Sequence, residues 1–168
     1  TFAPAMANWL TYLQNLPADP RTGRMPDENY AREIMQLFTI GLVELQLNGE
    51  PVLGGDGLPV ELFNNDDVTG LAKVFTGFQI DIPDFFPTGS SGGFEPEDLY
   101  SPLKLFPEYH STAEKNFLGA TIPENTGPEE SVRIALDTLY NHPNVGPFIG
   151  RQLIQRLVAS NPSPDYVE

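Results

Sequence analysis

Two groups of polar residues in this chain have the types and spacing that chemistry at a protein site requires. Asn29 and Glu33 stand four positions apart in a segment of helical pattern, so their side chains project from one face of a helix. A carboxylate held there could act as a general base or as a metal ligand. The competing interpretation is structural, because a buried glutamate often bonds to the amides of a neighbouring loop or to an arginine, here Arg32 or Arg151.

His110 and Lys115 form the second group, in a part of the chain that shows little helical or strand periodicity. Functional residues often gather in such loops. A histidine titrates near neutral pH, so it could exchange protons or bind a metal ion. A lone histidine more often anchors a loop, and His142, which precedes Pro143, is typical of a helix C-terminus.

Six residues are therefore the candidates for a site. The catalytic candidates are Glu33, His110 and Lys115, and the binding candidates are Asn29, Arg32 and Arg151. The acidic residues near Asp56 and within 64–67 lack the ligand spacing of an EF-hand loop, so no metal site is predicted. The absence of cysteine excludes disulfides, thiolate zinc sites and cysteine nucleophiles within these residues, and the sequence identifies no cofactor.

The charge balance limits the classes of partner. The chain has 9 Lys+Arg against 23 Asp+Glu, a formal net charge of −14, and its cations form no cluster. Such a surface repels phosphate backbones and anionic lipid, so we expect no nucleic-acid binding. No apolar run approaches the roughly 20 residues that span a bilayer. The expected partners are a protein or further N- and C-terminal parts of the same chain.

Amphipathic helices must position the candidate residues, because apolar residues recur at helical spacing along much of the chain. The clearest case covers about residues 26–46, which we call the signature helix. Its predicted apolar face carries Tyr30, Ile34, Leu37 and Phe38. We expect this face to be buried in a shared apolar core.

The other segments complete a mainly α prediction. Turn signals at Asn48-Gly49 and at residues 54–57 predict a small β-hairpin excursion. Residues 79–126, rich in proline, glycine and aromatic residues, predict a long irregular loop, and residues 127–160 predict a pair of helices. The predicted fold is a multi-helix bundle-like domain with a small β-hairpin excursion and a long irregular loop.

Four ordered segments of the chain resemble one bacterial family, known as domain of unknown function 1800. Residues 27–41 (DENYAREIMQLFTIG) resemble the family's signature helix, which reads like N-E-N-[YF]-A-R-E. The other matching segments are 65–78, 110–119 and 142–157. The chain departs from the family pattern at Gln36, Phe78 and Ser111, where glutamate, tryptophan and aspartate are usual. If that aspartate takes part in chemistry, its replacement by Ser111 argues against activity.

The resemblance implies long, exported, mainly helical proteins from environmental bacteria with no established reaction. It also implies helical regions before Thr1 and after Glu168. We therefore expect residues 1–168 to be a single domain and a fragment of a longer one.

Two functions follow as hypotheses. The first is a non-enzymatic exported protein that acts as a surface, assembly or binding module. The alternative is a metal-assisted or acid/base hydrolase-like enzyme that uses Glu33, His110 and Lys115 across a cleft between the signature helix and the irregular loop.

Overall fold

The structure is a computed structural model that describes residues 2–80 and 100–168. The chain divides into two compact units. The first unit comprises Thr1–Ala31 and Asp66–Ala135, and the second comprises Arg32–Asn65 and Leu136–Glu168. Each unit is described by itself below.

The elements of the described ranges are short. The α-helices are α1 (Pro4–Trp9), α2 (Asn29–Gln36), α3 (Asn65–Ala72), α4 (Pro128–Tyr140), α5 (Val145–Leu157) and α6 (Pro164–Val167). Two antiparallel pairs of strands accompany them, β1 (Phe78–Gln79) with β2 (Lys104–Leu105) and β3 (Lys115–Phe117) with β4 (Ala120–Ile122). None of the helices in the described part of the chain is long and apolar enough to cross a membrane.

The predicted multi-helix bundle is wrong. A bundle needs long helices that lie side by side along apolar stripes, whereas four of the six described helices have eight residues or fewer. Two small hairpin sheets stand among them, so the fold is mixed α/β. Residues 81–99 of the predicted irregular loop lie outside the described residues, and residues 100–126 hold the β2 strand, a 3₁₀ turn and the β3–β4 hairpin.

The signature helix is shorter than predicted. Helix α2 ends at Gln36, and the chain turns where Gly41 adopts a φ of +79° and donates its N–H to the Met35 carbonyl oxygen at 2.9 Å. A glycine in the left-handed region is a common stop for a helix. Tyr30 and Ile34 are buried as predicted.

An aromatic cluster forms the core of the first unit. The Tyr12 ring stacks on Tyr30 with centroids 4.0 Å apart, and Phe75 meets Tyr30 edge-on at 4.6 Å. Phe78 closes the cluster against Tyr12 at 5.7 Å. Burial of these large rings is the main apolar contribution to this unit.

The buried Asn15 side chain fixes three backbone groups around this core. Its Oδ1 accepts the Asp27 N–H at 2.8 Å, and its Nδ2 donates to the Asp27 and Phe75 carbonyl oxygens, each at 3.2 Å. The amide thereby joins the chain before α2 to the turn after α3. A buried amide that satisfies its hydrogen bonds in this way specifies the position of both segments.

Residues 42–62 of the second unit form a closed ring of backbone hydrogen bonds. Glu44 N–H donates to the Val60 oxygen, Val60 N–H to the Val52 oxygen, and Val52 N–H to the Glu44 oxygen, at 2.8 to 3.0 Å. Three short extended segments therefore each pair with the other two. This three-segment ring, which we call the β-ring, includes most of the segment predicted as a hairpin excursion and also residues 42–46, which were predicted to belong to the signature helix.

Asn144, which is buried, joins the β-ring to the start of α5. Its Oδ1 accepts the Leu45 N–H at 2.7 Å, and its Nδ2 donates to the Ile40 and Val43 carbonyl oxygens at 2.6 and 3.0 Å. One side chain thus satisfies three backbone groups about 100 positions away in sequence. These bonds position the residues that line the groove described below.

Candidate functional site

His110 is a buried residue of the first unit, only 5% exposed. Its Nδ1 lies 3.1 Å from the Thr76 carbonyl oxygen, and its Nε2 lies 3.2 Å from the Ser131 hydroxyl. A carbonyl oxygen can only accept, so Nδ1 carries the proton, and in the neutral ring Nε2 accepts from Ser131. Both ring nitrogens are therefore occupied by groups of the protein.

The Thr76 hydroxyl extends this network. It accepts the Ser111 N–H at 2.8 Å and donates to the Lys73 carbonyl oxygen, also at 2.8 Å. The imidazole and this hydroxyl thus join the end of α3, the loop at residue 110 and the first turn of α4. The arrangement suits a histidine that holds three segments together.

Burial lowers the pKa of His110, and the positive charge of Lys115 lowers it further, although the Thr76 carbonyl acts in the opposite direction. The neutral ring is therefore the stable form in the folded protein at neutral pH. A neutral imidazole beside a serine hydroxyl is also the arrangement of a nucleophile and its base. Ser131 is fully buried, so no substrate reaches this pair in the folded structure.

Replacing His110 with glutamine is expected to flatten the dependence of stability on pH. Unfolded histidine takes up a proton near pH 6.5, whereas the folded-state pKa is lower, so the free energy of unfolding of the wild type falls as pH drops from that value through the folded pKa. Chemical denaturation between pH 5 and 8 measures the slope. The slope for His142→Gln is measured for comparison, since burial also lowers the pKa of that ring, which is only half-buried. Equal slopes for wild type and H110Q would contradict the assignment of a neutral buried His110.

Lys115 is also buried in the first unit, at 0% exposure. Its Nζ donates to the carbonyl oxygens of Ser111 and Ala113 at 2.8 and 3.2 Å. Burial, with a smaller effect from the charge of Lys73, lowers the pKa of Lys115 to about 8. The ammonium group thus ties down the loop that precedes β3.

The remaining candidates are divided between the two units. Asn29 lies in the first unit, where its backbone N–H donates to Asp27 Oδ1 at 2.8 Å. Glu33 lies in the second unit and is partly exposed, whereas His110 and Lys115 belong to the first. The catalytic role of these three residues together stays a prediction.

The two binding candidates of the second unit contact its loops. Arg32 donates to Asn65 Oδ1 at 3.3 Å, and Arg151 donates through Nη1 to the Gly49 carbonyl oxygen at 2.7 Å. Arg151 also lines two cavities. Its guanidinium has five N–H donors, so one bond to the chain leaves it able to meet a ligand.

A groove of about 400 Å³ runs along α5 in the second unit. On the helix side its lining residues follow the spacing of one helix face, and on the opposite side they come from the β-ring and the turn before it. The lining residues are Phe148, Arg151, Gln152 and Gln155 on α5, and Leu42, Val43, Leu45 and Pro51 opposite. Five apolar residues beside three polar ones is the composition of a typical ligand site.

Gly41 allows Phe148 to take its place in the groove. A Cβ built on Gly41 would lie 2.7 Å from two carbons of the Phe148 ring. Its φ of +79° also disfavours any other residue. Gly41, in the turn after α2, therefore also allows the Phe148 ring its position in the groove.

Arg151 also lines a second cavity, of about 350 Å³. Polar residues of the β-ring and of the α5–α6 connection line it, among them Asn48, Glu50 and Ser163. Within the described residues, no group of three or more His, Asp or Glu could hold a metal ion. Together the two cavities make the second unit the candidate binding region.

Sequence reasoning missed the residues that organise both units. Asn15, Ser131 and Asn144 each carry hydrogen bonds between distant segments, yet each looks like an ordinary capping or loop residue in the sequence. The only available signal was position, since Asn144 follows His142-Pro143 at the start of a predicted helix. Such a position predicts a cap, not a bond to residues about 100 positions away.

The sequence matches the family model described as "Protein of unknown function (DUF1800)" over residues 1–168. No curated protein and no solved structure matches it significantly. The match covers the whole of the given sequence, including the four segments that carry the resemblance. The chain belongs to the DUF1800 family of proteins of unknown function.

Proposed function

We propose that this chain is a non-enzymatic binding module that holds a protein partner on its second unit. The observation that carries this proposal is the exposure of large apolar side chains there. Of the seventeen such side chains exposed among the described residues, twelve belong to the second unit. Scattered single apolar residues are ordinary on a surface, but a concentration in one unit marks an interaction region.

The end of α4 that belongs to this unit and helix α5 carry part of the exposed set at helical spacing. Leu136 and Tyr140 stand four positions apart on α4, and Leu153 and Leu157 do so on α5. Tyr140 and Leu157 are 78% and 77% exposed. Pairs at this spacing project from one face of their helix, so each helix offers an apolar face that a partner could cover.

Charge indicates the chemistry of the partner. The second unit has three arginines against eight acidic residues, and the whole chain has a net charge of −14. A second copy of this chain would repel the first, whereas a partner with lysines and arginines around an apolar centre would be attracted. We therefore propose a basic polypeptide partner.

The first unit supports the non-enzymatic part of the proposal. The polar atoms of His110 and Lys115 bond to the protein's own carbonyl and hydroxyl groups in a buried setting. A catalytic group must instead reach a proton of the substrate. These bonds are what a structural role for both residues requires.

Selection from a random peptide library displayed on phage tests this function. We expect the immobilised protein to enrich sequences with a leucine or aromatic residue next to lysine or arginine. The double variant Leu153→Asp, Leu157→Asp changes only exposed positions and tests the apolar face of α5. An unrelated protein of equal net charge serves as the control. If the control protein enriches the same sequences, charge alone explains binding and the proposal is overturned.

The hydrolase-like alternative retains one supporting observation, the 3.2 Å distance between His110 Nε2 and the Ser131 hydroxyl. Under this alternative, an opening motion would expose the pair, and Lys115 would act beside it. Labelling with a fluorophosphonate that reacts with activated serines tests it. Labelling of the wild type that is lost in Ser131→Ala would favour the enzyme, whereas equal labelling of both excludes Ser131 as a nucleophile.

Export to the periplasm or the medium is also part of the proposal, and the family resemblance supports it. Cell fractionation of the native host, with an antibody against residues 1–168, measures the location. A cytoplasmic location would contradict this part and leave the binding function untouched.

A further inference from the structure

We infer that the groove between α5 and the β-ring binds an extended polypeptide segment, with one apolar side chain of that segment against Phe148 and Leu45. This inference rests on the proposed binding function and assigns it to one site. The groove differs from the exposed helix faces, since Leu153 and Leu157 do not line it. It is therefore a separate docking position on the same unit.

The α5 side of the groove has the spacing that a straight ligand requires. Phe148, Arg151, Gln152 and Gln155 occupy positions i, i+3, i+4 and i+7, so they form one continuous face of the helix. A ligand parallel to this face meets an apolar ring first and polar groups further along. A volume of about 400 Å³ is within the usual range of ligand sites.

The polar groups of the groove suit a peptide backbone. A glutamine amide both donates and accepts, so Gln152 and Gln155 can pair with the carbonyl and the N–H of an extended chain. The Nε2 of Gln152 is buried and has no hydrogen-bond acceptor among the residues that the structure describes. A buried donor without an acceptor lowers the stability of the folded protein. Rotation of the Gln152 side chain would bring this donor to a carbonyl oxygen of the ligand, which would supply the acceptor.

The charges near the groove favour a basic ligand over an anionic one. Arg151 donates one N–H to the Gly49 carbonyl oxygen and has further N–H donors for the backbone carbonyls of a peptide. The exposed carboxylates of Glu44 and Glu50 lie in the β-ring next to the lining residues Leu45 and Pro51. Lysine or arginine residues beside the apolar anchor would meet these carboxylates. A fatty acid has no amide for the glutamines and would add negative charge to an acidic surface.

Synthetic capped nonapeptides test this inference. The probe has a central leucine flanked by lysine, serine and glycine, and the matched peptide has aspartate in place of leucine. Fluorescence polarisation should show saturable binding of the leucine peptide and binding at least about tenfold weaker for the aspartate peptide, a loss typical of an anchor residue.

Two variants of the groove locate the binding. Gln155→Trp should fill the groove and abolish binding, and Gln152→Leu should weaken it by about fivefold or more, as loss of one hydrogen bond does. Gly150→Ala is the matched control, because it changes α5 outside the groove and its Cβ would meet no atom within 4 Å. Leu153→Asp with Leu157→Asp separately tests the exposed face of α5. Circular dichroism checks that each variant keeps the wild-type fold. If Gln155→Trp does not keep it, binding to Gln152→Leu decides the result.

The outcomes separate this inference from the proposed function. Loss of binding in the groove variants with retention in the control supports the inference. Loss in the Leu153→Asp, Leu157→Asp double variant with retention in the groove variants overturns the groove and leaves the binding function standing on the exposed helix faces. Equal binding by all variants also overturns the groove. No binding of either peptide, with no sequence enriched from the phage library, overturns both.

Discussion

Replacing Gly70 with alanine is expected to lower the free energy of unfolding by about 3 kcal/mol or more, the upper range for overpacking a core. Gly70 lies within α3, where β3 of the same unit passes directly against it. A Cβ built on Gly70 would overlap the Asn116 carbonyl oxygen and lie 2.7 Å from its carbonyl carbon. Backbone atoms cannot turn aside as a flexible side chain can, so helix or hairpin must shift.

Urea denaturation of wild type and G70A measures this effect. Gly150→Ala is the matched control, because Gly150 also lies within a helix but has no atom within 4 Å of a built Cβ. Alanine is the better helix former, so we expect G150A to be stabilised by up to about 1 kcal/mol. The two substitutions thus have opposite expected signs. A G70A protein as stable as the wild type would show that α3 and β3 are not in the close contact described.

Where helical periodicity ends was harder to predict than where it exists. Leu37 and Phe38 continue the apolar pattern of Tyr30 and Ile34, yet they are 51% and 45% exposed because the chain has already left the helix. The apolar pattern shows which residues are apolar, but it does not show where the backbone leaves the helical conformation. Gly41 is the residue that carries the signal for a stop, since a glycine is the usual residue at such a position.

The helices near the C-terminus illustrate the opposite case. Helices α4 and α5 lie within residues 127–160, with the break at His142-Pro143 between them. Proline, glycine and acidic residues at the helix starts are local signals, because they lie in the same few residues where the helix begins. Local signals of this kind can be interpreted from one sequence.

The candidate site depended on contacts that no local signal contains. His110 and Lys115 were recognised as unusual residues, and both are buried, which lowers the pKa of each. Their partners, Thr76, Ser131 and the carbonyl oxygens of residues 111 and 113, could not be inferred from spacing. A perturbed pKa arises as readily from a structural network as from catalysis, so the type of residue alone did not distinguish the two.

The second large effect is expected for Asn144→Leu, which should lower the free energy of unfolding by about 3 kcal/mol. Leucine has a similar volume but leaves the Leu45 N–H and the Ile40 and Val43 carbonyl oxygens without their partner. Each buried backbone group left unsatisfied costs about 1 to 3 kcal/mol, and the partly buried ones less. Because these bonds hold the β-ring to α5, we also expect the groove peptide to bind more weakly to any folded N144L protein.

Asn141→Leu is the control for this substitution. Asn141 is exposed, and its Nδ2 donates to the Asp137 carbonyl oxygen within the same stretch of chain, so its loss should change stability by less than about 0.5 kcal/mol. Thermal and urea unfolding measure both variants, and amide hydrogen exchange at Leu45 reports the lost bond directly. Exchange at Leu45 should accelerate in N144L and stay slow in N141L. If Leu45 exchanges equally slowly in all three proteins, another acceptor protects it, and Asn144 is not the residue that fastens the β-ring to α5.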